Sequence, residues 1–135
     1  MKHRISMITL GVADLERSIA FYRDVFGFPR IGPEDGIAFF ELSGTWLCLY
    51  NKDGLAKDAL AETGEGFANV TLSQNLASNA EVDETYAALV AAGAQPVSEP
   101  HKAYWGGYSS YVADPDGYRW ELAHNPFMWI GPKDD

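Results

Sequence analysis

One order of elements, strand–helix–strand–strand–strand, is predicted twice along the 135-residue chain, and this repeat narrows the choice of fold sharply. The copies cover residues 5–51 and 67–126, and a surface linker at 52–66 joins them. One such unit leaves a sheet half covered and an edge open, so two units are expected to bury each other around a shared cup. The sequence therefore predicts an α+β fold, with two tandem βαβββ modules forming a cupped eight-stranded mixed sheet with helices outside.

Each predicted helix starts at a residue that can cap it. Asp14 precedes an apolar face with helical spacing, and Gly27 ends that helix. In the second copy Ser78 is followed three residues later by Glu81, a pair that satisfies two amides at a helix start. Gly93 ends this second helix.

Short apolar and β-branched runs between turn signals give the strands. Turns are marked by Pro33, Gly36, the Ser43-Gly44 pair and the run Asp114-Pro115-Asp116-Gly117, and the linker is expected to hold a helical turn near Ala56–Ala61. The predicted strands are Ile5–Val12, Phe28–Ile31, Gly36–Leu42, Thr45–Asn51, Phe67–Gln74, Gln95–Ser98, Gly107–Ala113 and Tyr118–Ala123.

Charge and cysteine content exclude several classes of function. The chain has 19 acidic and 10 basic residues and a net charge of −9, which disfavours nucleic acid and anionic membranes as partners. Its one cysteine, Cys48, excludes an intramolecular disulfide and a cysteine-rich zinc site. No signal peptide is apparent, and no run reaches the roughly 18 apolar residues of a membrane helix. We expect one cytoplasmic domain over residues 1–135.

Two stretches carry a family resemblance. Residues Ile8–Phe28, ITLGVADLERSIAFYRDVFGF, and residues Tyr111–Pro126, YVADPDGYRWELAHNP, resemble the opening and closing motifs of the vicinal-oxygen-chelate superfamily. This superfamily includes glyoxalase I, bleomycin-resistance proteins, extradiol dioxygenases and fosfomycin-resistance enzymes. The resemblance implies a homodimer with its active site in the cup. It does not select one activity, because many chemistries share this scaffold.

In the metal-dependent members of that family, four strand positions supply His, Glu or Gln ligands. The corresponding residues here are Met7, Cys48, Asn69 and Glu121. Only Glu121 is a conventional ligand for a divalent ion, because a thioether is soft and an Asn carbonyl is weak. We therefore expect no metal and no other cofactor.

The three histidines stand outside those four positions. They are His3, His101 and His124, and their spacing forms no recognisable metal motif. Whether His101 or His124 reaches the cup stays open, since a one-residue change of strand register would change which side chain faces inward.

Glu121 is the candidate catalytic residue. An inward-facing carboxylate on an apolar strand is costly unless it is used or paired. It can serve as a general acid or base, since burial favours its protonated form; alternatively it is a family relic held by a hydrogen bond or a partner charge. Arg119, two residues earlier, either pairs with Glu121, binds a ligand carboxylate or marks a solvated strand end.

Aromatic residues are the other candidates for ligand binding. Trp46, Cys48 and Tyr50 share one face of their strand, with Cys48 interpreted as a small buried apolar residue rather than a nucleophile. A second cluster, Tyr104, Trp105 and Tyr108, lies in a glycine-containing loop and can stack on a planar ligand. The alternative is that these rings seal the core or a dimer interface. Met7 and Asn69 are expected to line the pocket or the core.

These residues predict a metal-independent protein that binds a small apolar or aromatic molecule in the cup, with Glu121 as a possible acid or base. The alternative is a metal-dependent lyase of the glyoxalase I type, or a dioxygenase. A third interpretation is a structural dimer whose cup is filled by its own side chains. The sequence leaves open whether the protein is an enzyme; if it is, the resemblance implies a lyase or a dioxygenase.

Overall fold

The chain divides into two compact units, Met1–Glu65 and Gly66–Asp135, in a computed structural model that describes residues 1–32 and 35–133. Each unit contains a four-stranded mixed sheet and at least one helix. The α+β class and the two tandem modules are therefore confirmed. The turn predicted at Pro33 lies outside the described residues.

The sheet of the first unit has the order β1-β4-β3-β2, with β1 parallel to β4 and the other pairs antiparallel. Helix α1 continues directly into a π-helical turn at Phe21–Val25. The elements are β1 (Met7–Val12), α1 (Leu15–Ala20), β2 (Arg30–Ile31), β3 (Ile37–Phe40), β4 (Trp46–Asn51) and α2 (Lys52–Asp58).

An aromatic cluster fills the core of the first unit. Tyr22 is fully buried and contacts Phe28 and Phe40, with ring centroids 6.2 Å away in both pairs. Asp14 caps α1 as predicted, because its carboxylate accepts a hydrogen bond from the Arg17 amide at 3.1 Å. The helix thus starts where its apolar face can cover the sheet.

The stretch predicted as a linker begins with a helix. Helix α2 starts immediately after β4, because the Asn51 side chain accepts hydrogen bonds from the amides of Asp53 and Gly54. The helical turn predicted near Ala56–Ala61 overlaps this helix, which begins four residues earlier than the predicted turn and ends at Asp58. The backbone of α2 passes close to β1, and a Cβ added at Gly11 would lie 3.1 Å from the Cα of Lys52.

The sheet of the second unit has the order β5-β8-β7-β6, with β5 parallel to β8. Strand β5 begins four residues later than predicted, and β6 extends four residues further. The elements are β5 (Thr71–Asn75), α3 (Asn79–Ala92), β6 (Gln95–Lys102), β7 (Tyr108–Ala113) and β8 (Arg119–His124).

Helix α3 covers one face of this second sheet. Its start is capped as predicted, since Ser78 accepts from the Glu81 amide and the Glu81 carboxylate accepts from the Ala77 amide. Beneath it lies a small apolar core. Its members are Leu76, Val82 and Leu122, with Tyr86, Leu89 and Tyr108 packed against them.

Side chains along β8 point alternately toward α3 and toward the opposite face of the sheet. Leu122 is buried against α3, so Glu121 projects from the opposite face of the sheet. We call this opposite face the Glu121 face; besides Glu121 it carries Ser73, Ser109, Tyr111 and Arg119. None of the helices within residues 1–32 and 35–133 is long and apolar enough to cross a membrane.

Candidate functional site

Two serines hold the carboxylate of Glu121. The Ser73 hydroxyl, on β5 directly beside Glu121, donates to Oε1 at 3.0 Å. The Ser109 hydroxyl, on β7, donates to Oε2 at 2.9 Å. The half-buried carboxylate therefore sits between two neighbouring strands, with one neutral donor on each oxygen.

Tyr111 completes this group. It pairs with Glu121 in the β7–β8 register, and its hydroxyl interacts with both Glu121 and the side chain of Thr71. Because Thr71 lies on β5, the Tyr111 side chain reaches across β8. Burial and the negative charge of Glu121 raise the pKa of Tyr111, with a smaller contribution from Tyr104, whereas the hydrogen bond with Thr71 lowers it. Tyr111 therefore stays protonated and can donate a hydrogen bond.

Arg119 lies on the Glu121 face, two residues before Glu121 on the same strand. It is half-buried, and its neighbours across the sheet are Thr71 and Ala113, both small. Of the three roles considered for Arg119, an ion pair with Glu121 is not formed in the part of the chain that the structure describes. The Glu121 carboxylate instead accepts hydrogen bonds from the hydroxyls of Ser73 and Ser109.

Asn69 is not on a strand, so the sequence placed it wrongly. Its φ angle of 61° lies in the left-handed region, and the residue is exposed. Strand register shows that the counterpart of Met7 is Thr71, because Met7 pairs with Trp46 just as Thr71 pairs with Arg119. Met7 does begin β1, where it is 42% exposed.

Cys48 occupies the position in the first unit that Glu121 occupies in the second. It pairs with Thr9, as Glu121 pairs with Ser73. The thiol is fully buried, and burial raises the pKa of Cys48, although a hydrogen bond with Thr9 opposes this. A buried thiol with a raised pKa is a poor nucleophile and a poor metal ligand at neutral pH.

Around Cys48, the face of the first sheet is largely apolar. Trp46 and Tyr50 alternate with buried leucines along β4, as predicted, and both are half-buried. The Tyr50 ring packs directly on Gly54 of α2, where a Cβ would collide with it. Helix α2 therefore covers the Tyr50 end of this face.

Of the three aromatic residues predicted to lie in one loop, only Tyr104 and Trp105 do so. Tyr104 and Trp105 lie in the β6–β7 hairpin; Tyr104 is fully exposed, and the Trp105 ring packs on Gly107. Tyr108 is instead the first residue of β7, and its hydroxyl donates to Asp83 of α3 at 2.7 Å. Grouping Tyr108 with the loop aromatics was wrong, because strand alternation directs it toward the helix.

The sequence left undecided whether His101 or His124 faces the cup, and the two lie in different places. His124 pairs with Tyr108 and so lies on the α3 side of the sheet, with Nδ1 at 3.0 Å from the Leu76 carbonyl oxygen. His101 pairs with Ser109 but is exposed on β6, two strands from β8, with Nδ1 at 2.7 Å from the Glu99 carbonyl oxygen. Neither forms a hydrogen bond or ion pair with Glu121.

A cleft of about 220 Å³ opens on the α3 side of the second unit. Lys102, Gly107 and His124 line it beside the first residues of α3. At that helix start Ser78 accepts from the Glu81 amide, and the Glu81 carboxylate accepts from the Ala77 amide. The cleft therefore differs from the Glu121 face in both position and chemistry.

The residues present do not fit the divalent ion that the family resemblance implies. Met7 and Cys48 offer sulfur, Asn69 lies before its strand, and the register counterpart Thr71 offers only a hydroxyl. Across the described part of the chain, no three His, Cys, Asp or Glu side chains come together as a metal site. Glu121 is surrounded by hydroxyl donors rather than by further ligands.

Sequence reasoning missed Thr71, Ser73, Ser109 and Tyr111, which surround Glu121. A usable signal was the distance from the helix cap, since Met7 precedes Asp14 by seven residues. Counting back seven residues from the cap Ser78 gives Thr71 rather than Asn69. Alternation from Thr71 then brings Ser73 to the same face.

Comparison with known proteins agrees with this architecture. The model of the Glyoxalase/Bleomycin resistance protein/Dioxygenase superfamily matches residues 4–122. The chain is 29% identical to metallothiol transferase FosB of Lysinibacillus sphaericus, over 87% of this chain and 79% of that protein. It is 30% identical to a probable lactoylglutathione lyase of Vibrio cholerae, over 91% of both.

Among solved structures, a glyoxalase-related enzyme from Fulvimarina pelagi superposes with a TM-score of 0.85. It is 34% identical and covers 96% of this chain and 93% of its own. The lactoylglutathione lyase of Agrobacterium tumefaciens superposes with a TM-score of 0.75 at 28% identity, covering 97% of this chain and 100% of its own. The chain belongs to the Glyoxalase/Bleomycin resistance protein/Dioxygenase superfamily.

Proposed function

We propose that this protein binds a small apolar or aromatic molecule on the Glu121 face and uses Glu121 as a general acid or base without a divalent metal ion. One observation carries the proposal: both oxygens of the Glu121 carboxylate accept serine hydroxyls, from Ser73 and Ser109. A carboxylate held in this way keeps a fixed orientation, which proton transfer requires.

The two serines also allow the carboxylate to change protonation state. When Glu121 takes a proton from the ligand, a new O–H bond forms on one oxygen and the bonding electron pair stays on the ligand. The serine at that oxygen then rotates its hydroxyl, because a hydroxyl both donates and accepts. Tyr111 keeps its own proton, since burial and the Glu121 charge raise its pKa. It is therefore available to donate to a ligand oxygen.

Aromatic groups near Glu121 support the proposed ligand class. The Tyr111 side chain lies beside Glu121 and reaches Thr71 across β8. Rings of this kind bind planar or apolar groups by stacking or edge contacts. A small molecule with an apolar body and one ionisable group matches this mixture of rings and hydroxyls.

The second candidate is a metal-dependent lyase or dioxygenase. It is favoured by relatives whose names are metallothiol transferase FosB and probable lactoylglutathione lyase. It needs several carboxylate, imidazole or amide ligands around one ion. Glu121 is the only conventional ligand among the four expected positions, Met7, Cys48, Asn69 and Glu121. We therefore place this candidate second.

A thermal-shift screen separates the two candidates. Aromatic and thioether-bearing metabolites are tested with EDTA and, separately, with added Mn²⁺, Ni²⁺ or Zn²⁺. We expect a stabilising ligand whose effect is the same in EDTA and is lost or weakened in Glu121→Gln. The matched control is Glu84→Gln, which removes an exposed carboxylate of α3. Ligand binding only in the presence of a divalent ion would contradict the proposal.

We also propose a homodimer in the cytoplasm. The family resemblance implies the dimer, and the single cysteine is compatible with a reducing compartment. Size-exclusion chromatography with light scattering tests the first part. A mass near twice 14.9 kDa is expected, and a mass of one chain would contradict it.

A further inference from the structure

Arg119 carries a positive charge that no residue in ranges 1–32 and 35–133 is seen to pair with. Among the residues described, no hydrogen bond or ion pair engages its guanidinium. The nearby carboxylate of Glu121 accepts hydrogen bonds from Ser73 and Ser109 instead. A partly buried guanidinium gains from a counter-charge, which favours binding of an external anion on this face.

Arg119 is flanked in the sheet by short side chains. Its two neighbours across the sheet, Thr71 and Ala113, have short side chains. Within residues 66–133 the other basic residues are Lys102 and Lys133, both exposed, and Arg119 is the only arginine. Among the described residues of this unit, its guanidinium is thus the one forked donor.

We infer that Arg119 binds the carboxylate of a small aromatic acid and so sets the ligand's position relative to Glu121. This inference rests on the proposed function and names the class of ligand. Alternate residues on one side of a strand are roughly 6–7 Å apart. A carboxylate paired with Arg119 therefore places the next carbons of the acid toward Glu121, with the Tyr111 ring beside them.

Charge favours a carboxylate over a phosphate. A guanidinium binds a carboxylate through two parallel hydrogen bonds, and the charges of that pair cancel. A phosphate dianion keeps an excess negative charge, which Glu121, two residues away, repels. The net charge of −9 acts in the same direction.

The test compares acids with their neutral analogues. The probes are benzoate, phenylacetate and 3-phenylpropionate, together with their primary amides, measured by ligand-observed NMR and titration calorimetry. We expect at least one acid to bind and its amide to bind much more weakly. In Arg119→Gln the acid should bind roughly tenfold more weakly or worse, whereas Arg119→Lys should lie between, because it keeps charge but loses the fork.

Two further variants make the result specific. Lys102→Gln removes the cation beside the cleft on the α3 side and should leave acid binding unchanged. Glu121→Gln should bind the acid more weakly but should still prefer the acid over its amide, whereas Arg119→Gln should lose that preference. A failure of Glu121 as acid or base is therefore distinguishable from a failure of Arg119 as anion ligand. The inference is overturned if none of the acids binds, if amides bind equally well, if Arg119→Gln binds normally, or if Lys102→Gln alone loses binding.

Discussion

Ser109 and Glu121 are joined by a 2.9 Å hydrogen bond in which the nearly buried Ser109 hydroxyl donates to Oε2 of the carboxylate. Removing this donor leaves one carboxylate oxygen without its partner. Ser109→Ala should therefore lower the free energy of unfolding by about 1 kcal/mol and weaken ligand binding. Urea denaturation measures the first effect, and calorimetry the second.

The neighbouring serine provides a control for that variant. Ser110 is also buried, but its hydroxyl donates to the Leu122 carbonyl oxygen, not to Glu121. Ser110→Ala should cost a similar free energy of unfolding and leave ligand binding unchanged. Equal effects of the two variants on binding would remove Ser109 from the site.

Tyr111 should make stability depend on alkaline pH. Its pKa is raised above the ordinary value of 10.0, first by burial and then by the charge of Glu121. The folded state therefore holds the phenol proton more tightly than the unfolded state. Its contribution to stability is fully present below pH 10.0 and is lost as the pH rises through the folded-state pKa.

Denaturation curves from about pH 8 to 11 test this dependence. The loss of stability above pH 10.0 should be smaller in Tyr111→Phe than in the unsubstituted protein. Tyr108→Phe is the matched variant, since the hydrogen bond with Asp83 raises the pKa of Tyr108 on the other side of the sheet. Identical pH profiles for Tyr111→Phe and the unsubstituted protein would contradict the assignment.

The repeat and the helix caps were enough to predict the fold. Asp14 and Ser78 are local signals, since the side chain that caps the helix lies within a few residues of the amides it satisfies. The start of β5, by contrast, could not be predicted from a local capping signal. Asn69 adopts a left-handed backbone conformation. The apolar run FANVTL, which contains it, predicts an extended strand instead.

The site was only partly predictable for a related reason. Glu121 and Arg119 were proposed as site residues because they lie within a motif, and Tyr104 because it lies in an aromatic loop. Ser73 and Ser109 come from strands that the sequence keeps far apart, and only sheet register brings their hydroxyls to the carboxylate. Small hydroxyl residues are common in strands and carry no distinctive pattern.

Substitution of Leu122 should affect stability, whereas substitution of Glu121 should affect activity. Leu122 is 2% exposed and lies in the core under α3. Leu122→Ala should lower the free energy of unfolding by about 2–5 kcal/mol, the usual cost of a cavity in a core. Glu121→Gln, on the other face, should change stability little and abolish any activity. A large loss of stability in Glu121→Gln would indicate a structural role instead.

The β6–β7 hairpin depends on the absence of a side chain at Gly107. A Cβ there would collide with the Trp105 ring and lie 2.8 Å from the His124 carbonyl oxygen. Gly107→Ala should destabilise the protein by about 1–3 kcal/mol, the typical cost of overpacking. Gly64→Ala is the control, because a Cβ at Gly64 meets nothing within 4 Å. Similar melting temperatures for the two variants would contradict the packing described.

Elemental analysis of the purified protein tests the metal-independent role of Glu121 most directly. Protein from cells grown with Mn, Fe, Ni and Zn in the medium, purified without chelators, should carry far less than one equivalent of any of them. Its content should be unchanged in Glu121→Gln. One equivalent of a divalent metal per chain, lost in Glu121→Gln, would show that this carboxylate is a metal ligand and would contradict the account.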